Sequence, residues 1–148
     1  MGAYQIVAVG TDGSESSYRA VDRAATIAAD AKALLLIICA YHAAKNTGEA
    51  ERELGEDAAF HVVGSTPAEE TLRDARERAS AKGPVEIDTV AVEGDPIERV
   101  IEVVADRRAD LVVVGNRGLN SLAGRLLGSV PQGISRRAGS DVLIVHTT

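Results

Sequence analysis

The 148-residue chain has little of what a disulfide-stapled or membrane-bound protein needs: one cysteine, Cys39, and no apolar run longer than residues 33–41. A lone cysteine excludes an intrachain disulfide, and a run that short cannot span a bilayer. No basic segment followed by an apolar stretch opens the chain, so neither a secretory leader nor an anchor is expected and a cytoplasmic location is. Excess positive charge is missing too. Sixteen Lys and Arg against twenty-two Asp and Glu give a net charge of −6, which argues against a protein whose whole surface binds nucleic acid. Familiar catalytic signatures are absent as well. There is no Gly-Lys-Ser/Thr of a Walker loop, no GxSxG elbow, no HExxH and no Cys pair, and His42, His61 and His146 share no ligand spacing.

What is present fits one globular domain over residues 1–148, with 45% apolar and 26% charged residues. Short β-branched runs alternate with helical patterns along the whole length. That predicts an α/β fold with a parallel sheet covered by helices on both faces. Strands are expected at residues 6–9, 34–38, 85–92, 111–114 and 142–145. The second is apolar at every position and should be central; the third alternates Glu86 and Asp88 with Val85, Ile87 and Val90 and should lie at the margin.

Helices are expected after the turn at residues 10–14, with Ala20, Val21, Ala24, Ile27 and Ala28 on one face, and after Thr66 as a cap with Pro67 first in the helix. Asp95-Pro96 repeats that logic ahead of Val100 and Val104, and a last helix opens at Ser129. Residues 42–65, where acids crowd among alanines and glycines, read as a mobile connection. A lid or partner surface is the alternative there.

Residues 115–127 form a long connection for a parallel fold. It begins Gly115-Asn116-Arg117-Gly118 and, nine residues later, meets Gly128-Ser129 at a helix start. Glycines let a backbone approach a bulky anion and turn consecutive N–H groups toward phosphate oxygens. The helix start adds unpaired N–H groups and the positive end of its dipole, and Ser129 can either cap that helix or donate its hydroxyl to a ligand. Pro131 removes one N–H, so the donors should be those of Gly128, Ser129 and Val130. Residues 111–140 contain four arginines and neither acid nor lysine, so this segment is locally cationic within an acidic protein.

The spacing Gly115-x2-Gly118-x9-Gly128-Ser129 resembles the nucleotide-binding signature of the universal stress protein family, in its ATP-binding subgroup. The likeness extends to Val7-Ala8-Val9-Gly10-Thr11-Asp12-Gly13-Ser14, Gly94-Asp95-Pro96, Ala109-Asp110-Leu111 and the closing Asp141-Val142-Leu143-Ile144-Val145. It implies an open five-stranded parallel sheet of order 3-2-1-4-5, Rossmann-like and similar to the adenine nucleotide alpha hydrolases. It also implies a homodimer paired through the last strand, from Val142 to Val145. That strand is uncharged and β-branched, so at an edge it needs a partner.

By the same resemblance Asp12 lies near the nucleoside, Gly10 and Thr11 line its crevice, and the backbone of Ala40 meets the adenine edge. Val114 and Val130 supply apolar walls. Ligands of open α/β sheets bind beyond the carboxyl ends of strands where the winding reverses, here between the first and fourth strands, which supports the placement of Asp12 and Gly115. The alternative for Asp12 is an Asx-turn or a helix cap. Arg117 and Arg125 are candidates for phosphate contact, with a solvated loop as the alternative for each. Asn116 departs from the Ser or Thr common in relatives.

The function implied is a regulatory protein that binds an adenine nucleotide, ATP first, and needs no catalytic group. One alternative is an enzyme that hydrolyses ATP slowly, with Asp12 reaching Mg²⁺ through water. The other is a sensor or reservoir for AMP or cyclic AMP, since adenine and ribose contacts do not depend on the γ-phosphate. Neither nucleic acid nor a membrane is an expected partner. A phosphoacceptor receiver is set aside because Asp12 has no second acid beside it and no lysine follows the last strand.

Overall fold

The computed structural model describes residues 2–42, 65–116 and 128–147. β1 (Ile6–Gly10), β2 (Leu34–Tyr41), β3 (Glu86–Glu93), β4 (Leu111–Gly115) and β5 (Asp141–Val145) form one parallel sheet in the order β3-β2-β1-β4-β5. That is the order the family resemblance implied. Between the strands run α1 (Glu15–Ala31), α2 (Ser65–Ser80), α3 (Pro96–Arg107) and α4 (Ser129–Arg137).

Alternate strand residues feed two cores. Val7, Val9, Leu35, Ile37 and Val113 pack against the small residues of α1 and α2, such as Ala24, Ala28, Ala75 and Ala79. Ala8, Leu36, Ile38, Val112 and Val114 face α3 and α4 through Val100, Val104 and Ile134. Both faces of the sheet are thus covered, and Leu35 through Cys39 are fully buried, as the uninterrupted apolar run of β2 predicts. β3 is half-buried at one edge and carries Asp88, which pairs with Arg107 of α3. That guanidinium holds the Asp88 carboxyl below its ordinary range, against the opposing effect of burial.

Local signals fix most helix ends. Asp95 accepts a hydrogen bond from the Glu98 N–H (3.1 Å) with Pro96 first in α3, as expected. α2 departs from expectation: it starts at Ser65, so Thr66 lies inside the first turn instead of capping it. β2 is three residues longer than expected, because β3 continues alongside it as far as the pair Tyr41 and Glu93. At the amino end of the sheet Asp110 accepts from the N–H groups of Gln5 and Ile6 (2.9 to 3.2 Å). This ties the start of β1 to β4 and explains why the Ala109-Asp110 pair precedes β4.

Candidate functional site

The β2–β1 ladder ends at the pair Ile38 and Gly10, and the β1–β4 ladder at Val9 and Val113. Beyond those ends the chain leaves β1 through Thr11 and Asp12 toward α1 and leaves β4 through Gly115 and Asn116. This carboxyl end of the sheet is where a crevice between the first and fourth strands is expected. Ala40 lies two residues past the last β1 partner of β2, where its strand pairs with β3 alone.

In the turn after β1, Asp12 Oδ1 accepts from the Ser14 N–H (2.9 Å), an Asx-turn, whereas the α1 cap is Ser14, whose Oγ accepts from the Ser17 N–H (3.2 Å). The Asx-turn alternative is thus occupied by one carboxylate oxygen. Oδ2 has no recorded partner among the described residues. Asp12 itself is half-buried. Thr11 is buried, and its hydroxyl is committed to Ser17 Oγ (2.8 Å) and the Gly13 N–H (3.2 Å). Its N–H donates to the Ile38 carbonyl (2.9 Å), so among the described residues only the Thr11 carbonyl is left to offer a ligand. Gly13 takes a φ of +86°, a left-handed turn that suits glycine.

Below this turn, burial pushes the Cys39 thiol up to about 12, with the charge of Asp12 adding to the effect. Cys39 is therefore a buried, inert hydrophobe.

Across the crevice α4 begins with Gly128 as its cap residue, and no side chain caps it. That excludes the capping alternative for Ser129, which is the first helical residue and exposed, with its hydroxyl unbonded among the described residues. One expectation needs correction. The Gly128 N–H donates to the Asn116 carbonyl (3.1 Å) and is not available to a ligand. Gln132 N–H closes the first turn on Gly128 O (3.0 Å), and Pro131 has no N–H. Among the described residues the open donors of the helix start are consequently those of Ser129 and Val130. Val114 and the half-buried Val130 both belong to the core on the α3 and α4 side, consistent with apolar walls. Arg117, Gly118 and Arg125 lie outside the described residues, as does the connection at residues 43–64.

Sequence reasoning missed one group here. Thr147 is buried, and its backbone N–H and hydroxyl both donate to Asn116 Oδ1 (2.9 and 3.0 Å). Its hydroxyl also meets Ser16 Oγ (2.5 Å), and its carbonyl accepts from Arg19 Nη1 (2.7 Å). Asn116 is thus fully engaged where a Ser or Thr was the family expectation. Among the described residues no three His, Cys, Asp or Glu side chains cluster as a metal site, and no helix is long and apolar enough to cross a membrane.

Residues 3–146 match the model of the Universal stress protein family. Universal stress protein Rv1636 of Mycobacterium tuberculosis is 48% identical over 149 residues, covering all of both chains. Universal stress protein YxiE of Bacillus subtilis is 30% identical over 93% of this chain and 96% of its own. Among solved structures, a universal stress protein crystallised in complex with cAMP is 45% identical, covers 99% of each chain and superposes with a TM-score of 0.77.

Proposed function

Because the chain belongs to the universal stress protein family, we propose that it is a cytoplasmic regulatory protein that binds an adenine nucleotide beyond the carboxyl ends of β1 and β4. The observation that carries this is the pairing of two unmet needs across one crevice. Among the described residues Asp12 keeps a carboxylate oxygen without a partner, suited to ribose hydroxyls, and Ser129 and Val130 keep N–H groups without partners, suited to phosphate oxygens. Gly10 and Gly115 end the two strands without side chains, Ala40 presents backbone toward the base, and Val114 and Val130 wall the site. The motif glycines Gly118 and Gly128 and the arginines Arg117 and Arg125 complete it, as in the ATP-binding subgroup.

ATP is the ligand this motif favours. Mg²⁺ would enter with the triphosphate, with Asp12 in reach through water, because one free carboxylate oxygen is too little to hold the ion alone. Cyclic AMP is the second reading, favoured by the 45% identical universal stress protein crystallised with cAMP. Two N–H donors suit a single phosphate group. Binding, with no turnover required, is sufficient for the role. A homodimer joined along β5 is part of the proposal.

The test is competition of labelled ATP against ATP, AMP, cyclic AMP, adenosine and GTP on the purified protein. Displacement by adenine compounds and not by GTP is expected, and Gly128→Val should weaken binding by at least about tenfold, or 1.4 kcal/mol. Binding of no adenine nucleotide by the wild type, or unchanged affinity in Gly128→Val, refutes the site.

A further inference from the structure

The last described residue of the chain is buried at the mouth of the proposed crevice. Thr147 is 4% exposed. A polar side chain at that degree of burial must have its hydrogen bonds met, and those of Thr147 are met in one direction. Asn116 Oδ1 has no proton to give, so Thr147 Oγ1 donates to it and the Ser16 hydroxyl donates to Thr147 Oγ1. A chain of three side chains thus runs from the first turn of α1, through the tail, to the residue after β4.

Asn116 is the point where this chain meets the helix start. Its N–H donates to the Val145 carbonyl (2.8 Å), and its own carbonyl accepts the Gly128 N–H (3.1 Å). Asn116 Nδ2 also approaches His146 Nδ1 (3.4 Å). The distance between the end of β4 and the start of α4 is therefore set at Asn116, and the orientation of Asn116 is set by the tail. Gly115 leaves the tail its place. A Cβ there would sit 3.3 Å from Thr147 Cγ2 and 3.4 Å from Ser16 Oγ.

We propose that Thr147 is a positioning residue for phosphate recognition: its hydroxyl holds Asn116, and Asn116 holds the start of α4 where the Ser129 and Val130 donors face the ligand. The inference rests on the reading of the crevice as a nucleotide site. It goes beyond that reading by assigning the chain's tail to the phosphate half of the site and not to the nucleoside half, where Asp12 is bonded to its own turn.

The test uses the full chain and three variants, each checked for a cooperative melt. Thr147→Val keeps the shape and the backbone N–H and removes the hydroxyl. Thr147→Ser restores the hydroxyl, and Ser16→Ala cuts the same chain from α1, so that a failure of Thr147→Val to fold leaves the question open to measurement. The first readout needs no ligand: amide hydrogen exchange at Gly128 should quicken on the order of fivefold in Thr147→Val and Ser16→Ala, the equilibrium worth of one net hydrogen bond, and return to the wild-type rate in Thr147→Ser.

The second readout compares ligands with and without phosphate. ATP affinity should fall on the order of fivefold in the two disruptive variants while adenosine affinity stays level, a split that a general loss of stability would not produce. Unchanged exchange at Gly128 overturns the latch, whatever binds. Faster exchange with ATP affinity intact, or with ATP and adenosine weakened alike, overturns the positioning role. Wild-type protein that binds no adenine nucleotide overturns the crevice reading instead, and the exchange at Gly128 still decides the latch.

Discussion

Gly133 of α4 is where the seat of the helix proposed to meet phosphate can be probed away from the proposed site residues. A Cβ at this position would lie 2.7 Å from Ile97 Cδ1, 3.0 Å from Cγ2 and 3.2 Å from Cγ1. Comfortable carbon contacts are about 3.5 to 4.0 Å. The Ile97 Cδ1 atom can swing aside, but Cγ2 sits on the branched carbon and moves only with χ1 or with the backbone. Relief in Gly133→Ala must then come largely from α4 backing away from α3. Overpacking of this kind costs about 1 to 3 kcal/mol, and replacing glycine by alanine within a helix returns about 1 kcal/mol.

The expected net is a destabilisation of about 1 kcal/mol in urea unfolding. Ile97→Val alone should cost about 0.5 kcal/mol by losing a methylene from a partly buried side chain. The double variant should cost somewhat less than the sum, because valine lacks the atom at 2.7 Å but keeps Cγ2, giving a coupling of about 0.5 kcal/mol. Since α4 carries Ser129 and Val130, Gly133→Ala should also weaken ATP, and Ile97→Val should restore part of that loss. A Gly133→Ala protein that gains about 1 kcal/mol and shows no coupling to Ile97 would refute the tight seat.

Two further expectations concern the edges of the sheet. β5 pairs only with β4, and its half-buried Val142, Leu143, Ile144 and Val145 follow a single acid, Asp141, whereas the opposite edge strand β3 is blunted by Glu86, Asp88 and Glu93. Sedimentation at micromolar concentration should therefore give a dimer, and a monomer would overturn pairing through β5. At the β3 edge, Asp88 has a lowered folded-state pKa through Arg107. Its contribution is fully present above the ordinary aspartate value and is lost as pH falls through the lowered one. With its side chain 46% exposed, solvent screening holds that contribution to about 0.5 kcal/mol. The gap between wild type and Asp88→Asn should be measurable at pH 7, shrink in high salt and close near pH 2. A gap that widens on acidification would refute the assignment.

The parts of the fold legible in the sequence are those decided by local chemistry. β2 reads as central because helices cover both of its faces, so no position along it needs a polar residue. Asp95-Pro96 reads as a helix start because cap and first residue are adjacent and no other Ser, Thr, Asn or Asp stands within five residues of Asp95. The turn after β1 is harder to read: Thr11, Asp12 and Ser14 can each cap or bridge, and only the path of the chain assigns the cap to Ser14 and the Asx-turn to Asp12. The start of α2 is uncertain for the same reason, with Ser65 and Thr66 side by side. The length of β2 past Ile38 depends on where β3 ends, which no pattern within β2 records.

The candidate site divides along the same line. Glycine spacing after β4 resembles that of a backbone that approaches an anion, and the resemblance is visible because glycine alone suits that need. Which N–H groups remain free is a different matter, since it depends on distances between elements: Gly128 looks like a donor to a ligand until its N–H is found 3.1 Å from the Asn116 carbonyl. Asn116 itself reads as a departure from a family pattern and a lost hydrogen bond. In the fold it gains more than it loses, because a side chain longer than Ser or Thr reaches Thr147, 31 residues ahead, with one oxygen serving two donors. A pair of single polar residues so far apart has no periodicity to betray it. The substitution acquires meaning only with the tail in place, and Asn116→Ser would then leave the buried Thr147 hydroxyl and N–H short of an acceptor instead of restoring the family's arrangement.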